Sequence, residues 1–216
     1  MQTNNRVGRV RIVTDSTADI PVDLASELGI TVVPCLVFLG QESFRDGADL
    51  TPQAFLNKLA HTSQPLRTSQ PPVSEFVNVY RRLLEAERGA GIVSIHVAGS
   101  FSGTVNAAWT AAQSQSDPSR VEVIDSGQLS MGLGWAVIEA ARMAQAGAQQ
   151  AEISRTVQAL LPRLRAAAMI DTLDNLYKGG RISLISAAIG TALKIKPLLT
   201  VQNGGVVVRG RVRTHA

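Results

Sequence analysis

The chain has 216 residues, 45% of them hydrophobic and 18% charged, with a formal net charge of +4. That balance excludes intrinsic disorder and is ordinary for a soluble globular protein. A lone cysteine, Cys35, excludes an internal disulfide, and Lys194 and Lys196 interrupt the longest apolar stretch before it could span a bilayer.

Residues 10–13 read as a short buried strand that runs into the polar loop 14–19, and Pro21 suits the first turn of a helix ending near Gly29. Residues 31–39 are β-rich and close at Gly40. Thr51 followed by Pro52 is an N-cap with proline at the first helical position, predicting a helix through about residue 60. Phe76, Val77, Tyr80, Leu83 and Leu84 share one helical face, with Ser74 as the expected cap. Strand 92–97, helix 103–113, strand 121–124 and the alanine-rich helix 132–146 follow.

Strands alternating with helices of this length predict an α/β fold with a parallel sheet covered on both faces. Ligands of such sheets lie beyond the carboxyl ends of the strands. The polar loops 14–17, 102–104 and 125–126 all follow strands, so one rim collects them.

The composition shifts at residues 146–148. An amphipathic helix at 153–164 with Pro162 near its end, a short strand near 168–170 and a segment at 173–177 come next. Then follow the glycine turn Lys178-Gly179-Gly180-Arg181, an apolar helix at 185–193, and strands 197–201 and 205–208 joined at Asn203-Gly204. The expected organisation is a Rossmann-like N-terminal domain over 1–148 and a second α/β domain over 149–216. The second has a thin core, so the expectation is that it is incomplete.

Charge is distributed unevenly. Residues 175–216 hold seven Lys or Arg and no Asp or Glu, whereas the first 174 residues hold fourteen basic and seventeen acidic side chains. A basic end can mark a nucleic-acid surface. Tyr177 is its sole aromatic, however, so the stacking platform that single strands require is missing and no nucleic-acid partner is expected.

Two hydroxyl-rich junctions carry the most chemistry: Thr68-Ser69-Gln70-Pro71 and Ser102-Gly103-Thr104. Each combines Ser/Thr hydroxyls with the start of a helix, where free N–H groups and the helix dipole favour an anion. Either serves equally well as an ordinary N-cap. Asp15 and Asp125 read as loop-fixing acceptors, His96 as a hydrogen-bonded structural histidine, and His61 and His215 as exposed. No His, Cys or Asp pair has metal-ligand spacing, so neither metal nor cofactor is expected. Arg181 either pairs with an anion or braces the glycine turn against Asp171 or Asp174. Met131, Trp135 and Met143 suit core packing or contact with an apolar ligand.

Taken together the motifs resemble the DegV family, bacterial fatty-acid-binding proteins that deliver acyl chains to fatty acid kinase. The resemblance rests on residues 14–19, 68–71, 102–104 and 123–126, on Gly132-Leu133-Gly134, on 178–183 and on 194–197, in the family's order. It implies two α/β domains, an acyl tail buried between helices, and a carboxylate held by Thr68, Ser102 and Arg181. It further implies a non-enzymatic, cytoplasmic carrier with a long-chain fatty acid and a fatty acid kinase as partners, and no stable membrane insertion. The family's head-group histidine near the C-terminus has no counterpart before Ala216, so the chain is expected to be C-terminally truncated relative to the family. Ala98-Gly99 stands where the family often has two serines, and Val105 where an aromatic is frequent. The competing expectation is a small-anion or phosphate-handling enzyme using Ser102 or Asp15. A nucleophile needs a positioned base, and no GxxxxGK[ST] loop is present.

Overall fold

The computed structural model describes residues 8–212 apart from 63, 88, 90, 173, 182, 184–195 and 203. In chain order the elements are β1 (Arg11–Asp15), α1 (Val22–Leu28), β2 (Ile30–Val33), β3 (Leu36–Leu39), β4 (Glu42–Arg45), α2 (Pro52–His61), β5 (Leu66–Ser69) and α3 (Val73–Ala86). They continue with β6 (Ile92–His96), α4 (Thr104–Gln113), β7 (Val121–Asp125), α5 (Met131–Gln145), α6 (Gln150–Leu160), β8 (Ala167–Met169), α7 (Asp174–Lys178), β9 (Lys196–Gln202) and β10 (Gly205–Val212).

β2, β1, β6 and β7, in that order, form an all-parallel sheet. Every residue of β6 is buried, because helices cover both faces and leave no solvent side for a polar alternation. On one face Phe76, Tyr80 and Leu84 of α3 meet Ala107, Ala108, Ala111 and Ala112 of α4, whose small side chains let the two helices approach. On the other, Leu133 and Val137 of α5 pack with Leu28 of α1. Ile153 and Val157 of α6 join that same core, so the helix expected to open the second unit lies on the first sheet.

Local details differ from the sequence reading in three places. The run 31–39 is not one strand: Pro34 lacks the N–H a sheet ladder needs, and the Cys35 N–H goes instead to Ser16 Oγ at 3.0 Å. The chain breaks there, and β3 joins a separate antiparallel sheet of order β4-β3-β5. Thr68 is therefore on a strand, opposite Val37, rather than in a loop. Pro72, not Ser74, occupies the N-cap position of α3. By contrast Thr51 caps α2 as expected, accepting from the Ala54 N–H at 3.2 Å.

β10, β9 and β8 form a third, antiparallel sheet, and a register shift leaves Arg209 between the pairs made by Val208 and Gly210. Arg209 donates to Gln202 Oε1 at 2.6 Å. The hairpin tip docks on the rim of the parallel sheet. Gly204 N–H donates to the Gly127 carbonyl at 3.2 Å, and the Ser100 hydroxyl donates to the Gly204 carbonyl. The expected helix 185–193, and Lys194, Asn203 and Arg213, lie outside the described residues.

Gly134 sets how closely α5 approaches the rim. A Cβ there would fall 2.5 Å from the Ala18 carbonyl oxygen, so glycine alone lets α5 seat against the turn that follows β1. A Cβ on Gly132, two residues earlier, would fall 2.8 Å from Gln128 Oε1 and 3.2 Å from Ala166 Cβ.

Candidate functional site

A cavity of about 350 Å³ opens beyond the carboxyl ends of β1 and β6. Thr68, Ser102 and Arg181, far apart in sequence, all line it. Ser102 is half-buried in the loop before α4, with Oγ 2.8 Å from Thr104 Oγ1. Thr68 reaches the cavity from β5. Arg181 follows the left-handed Gly180 (φ 74°), and its guanidinium donates to the Gly179 carbonyl at 2.6 Å and to the Phe101 carbonyl at 3.5 Å. That second bond ties the glycine turn to the Ser102 loop.

The starts of α4 and α5 both face this cavity, through Ser102 on one side and Leu129 and Ser130 on the other. The dipoles of the two helices turn their positive ends toward it. Gln70 completes the donor side. Gly103 has φ −73°, a conformation open to any residue, so its glycine serves space rather than flexibility. A Cβ on it would come within 2.3 Å of Gln70 Oε1; the Gln70 amide lies across the spot.

The opposite wall is acidic, with Asp19 and Asp46. Among the described residues, Asp19 (φ 53°) and Ser130 (φ 51°) are the non-glycine residues with positive φ, and both line the cavity. Such strain persists where surrounding structure imposes it. Desolvation pushes the Asp19 carboxyl above its ordinary value against the Ser130 hydrogen bond, with repulsion from Asp46 and Asp15 adding to the rise. Asp19 and Asp46 also border a larger groove of about 730 Å³ with walls from Ile20, Val22, Ala25 and Ile30.

Beneath the acidic wall runs a sealed polar chain. Tyr80 Oη lies 2.8 Å from Ser94 Oγ, which lies 2.7 Å from His96 Nε2, while His96 Nδ1 donates to Asp15 Oδ2 at 2.9 Å. Asp15 also accepts from the Val97 N–H and from the N–H and hydroxyl of Thr17. Tyr80, Ser94, His96 and Asp15 are each 0% exposed. Burial alone would raise the Asp15 carboxyl, but the His96 hydrogen bond and charge, with Thr17 and Val97, hold it below its ordinary value. Ser94, His96 and Asp15 thus have the connectivity of a hydrolytic triad with no access for a substrate. They fix the loop, as expected of Asp15 and His96. Asp125 does the same one strand over, accepting from Gly99 N–H at 3.1 Å and Gly127 N–H at 2.9 Å.

Met131 and Met143 pack against the α5 core, whereas Trp135 is 52% exposed. Thr17, Asp19, Gln70, Phe101 and Ser130 escaped the sequence reading as cavity residues. Gln70 stood inside the 68–71 motif and Thr17 and Asp19 inside the 14–19 motif; Phe101 and Ser130 are brought in by loops whose course depends on distant contacts. Among the described residues no cluster of His, Cys, Asp and Glu can hold a metal ion, and no helix is long and apolar enough to cross a membrane.

A family model described as "Uncharacterised protein, DegV family" matches residues 9–216. A DegV domain-containing protein of Caldanaerobacter subterraneus is 40% identical over 205 residues, covering 95% of this chain and 72% of that protein. Among solved structures, a DegV family protein from Thermus thermophilus, described for its fatty acid binding, superposes with a TM-score of 0.84 at 37% identity. The match covers 95% of this chain and 72% of the other. DegV of Bacillus subtilis, described as a fatty acid binding protein, superposes with a TM-score of 0.87 at 30% identity, covering 96% and 73%.

Proposed function

The chain belongs to the DegV family, and from that premise we propose that it is a cytoplasmic fatty-acid carrier that encloses a long acyl tail and presents its carboxylate to a fatty acid kinase. The observation that carries this reading is the meeting of Thr68, Ser102 and Arg181 around one cavity at the starts of two helices. The relatives described as binding fatty acids, similar over nearly the whole chain, support it. In this reading the two hydroxyls donate to the carboxylate and Arg181 balances its charge against Asp19 and Asp46. A desolvated carboxylate without such partners would offset the gain from the tail, about 0.8 kcal/mol for each buried methylene. A volume of about 350 Å³ suits the head group, with the tail continuing between helices. The reading keeps a Rossmann-like first unit and a second α/β unit, with the boundary moved from residue 148 to beyond α6, whose Ile153 and Val157 join the first core.

The enzymatic alternative has less support. Asp15 is fully buried with its carboxylate occupied by four donors, and the hydroxyl partner of Ser102 is Thr104 rather than a base. Mass spectrometry of organic extracts from the purified protein tests the carrier reading directly. An acyl chain should copurify, or palmitate added to extracted protein should bind and raise its Tm. Failure of both would overturn it.

A further inference from the structure

Thr104 opens α4 and is 0% exposed, yet its side chain is polar. Its Oγ1 lies 2.8 Å from Ser102 Oγ, and its backbone N–H donates to the same oxygen at 3.3 Å. A serine oxygen has two lone pairs and one hydrogen. With the Thr104 N–H on one lone pair and the Thr104 O–H on the other, Ser102 has only its hydrogen left to offer the cavity.

The direction of the Thr104 hydroxyl follows from where the two side chains sit: Thr104 is sealed, so its hydrogen goes to Ser102 Oγ, whereas Ser102 opens on the cavity.

We propose that Thr104 is a positioning residue that fixes Ser102 as an obligate donor, so that the cavity selects an acyl chain ending in carboxylate over one ending in alcohol. This rests on the carrier reading of the same site. A carboxylate only accepts, and its charge-assisted bond to a preset donor is the stronger kind. An alcohol both donates and accepts, so a free-turning serine serves it as well as a fixed one.

The test compares palmitate and hexadecanol, whose identical tails cancel, on delipidated wild-type protein and the Thr104→Val and Thr104→Ser variants. Thr104→Val should weaken palmitate binding by about five- to tenfold, the worth of one oriented hydrogen bond, and leave hexadecanol within about twofold. Thr104→Ser should restore the preference. Equal losses for both ligands would show a packing role only and overturn the proposal, as would unchanged palmitate affinity. Thr104→Ala carries the same expectations and serves where the valine variant does not fold. A wild-type protein that binds neither ligand sinks the carrier reading itself, a result distinct from a lost preference.

Discussion

Loops leave the neighbouring strands β1 and β6 at the same rim, and they offer the cavity opposite chemistry. After β1 the Thr17 hydroxyl donates to Asp15, so it presents only lone pairs, with the Asp19 carboxyl beside it. After β6 the Ser102 oxygen is engaged by Thr104, and the residues behind it are neutral. Both loops expose a hydroxyl to one cavity. What lies beneath each decides whether that hydroxyl gives or takes a proton, so residue type alone does not state the polarity of a site.

The largest expected effect breaks the first loop from below. Asp15→Ala strands the donors of His96, Val97 and Thr17 in a sealed interior and should lower the unfolding free energy by about 3–5 kcal/mol, measured by denaturant titration. Asp19→Ala, on the exposed side of that loop, should change it by less than about 1 kcal/mol. Equal effects would mean that the buried anion does not organise the rim.

Ser102→Ala tests the second loop through binding rather than stability. Palmitate affinity should fall by about one to two powers of ten, from the loss of one charge-assisted hydrogen bond, with Tm nearly unchanged. Calorimetric titration reads this, and an unaltered Kd would remove Ser102 from the head-group site.

Gly134→Ala pushes α5 against the Ala18 carbonyl, a backbone atom that cannot step aside cheaply. Overpacking of about 1–3 kcal/mol should exceed the gain of about 1 kcal/mol in helix propensity, giving a lower Tm. Gly103→Ala meets only the flexible Gln70 side chain, so its stability loss should be smaller. Reversing that order would show that the loop after β1 is not held by α5.

The smallest effect is in the pH dependence, where the two aspartates of the first loop act with opposite sign. Asp15 has a lowered value, so its stabilisation is present above the ordinary 3.8 and is lost as pH falls through its folded value. Asp19 has a raised value, so its contribution is full below 3.8 and is lost as pH rises through its folded value. Unfolding free energies measured from about pH 4 to 6 should fall less steeply in Asp19→Asn than in the wild type. A steeper fall in that variant would contradict the sign.

The sequence by itself determined the parallel sheet, its helices and the cap of α2. Continuous apolar strands such as 92–96, helical faces such as Phe76, Tyr80, Leu83 and Leu84, and the Thr51 cap are written in neighbouring residues, where periodicity and local hydrogen bonding operate. Local pattern marked the Thr68 and Ser102 junctions and Arg181 as anion sites or as caps and a turn brace, and the resemblance alone chose the first. Only the tertiary structure decided that these three share a cavity with Thr17, Asp19 and Ser130. It also set Thr68 on a strand of its own sheet, beyond the break at Pro34, and joined Asp15 to His96 across 81 residues. These outcomes depend on which distant segments come into contact, and a one-dimensional pattern of polarity carries no record of that.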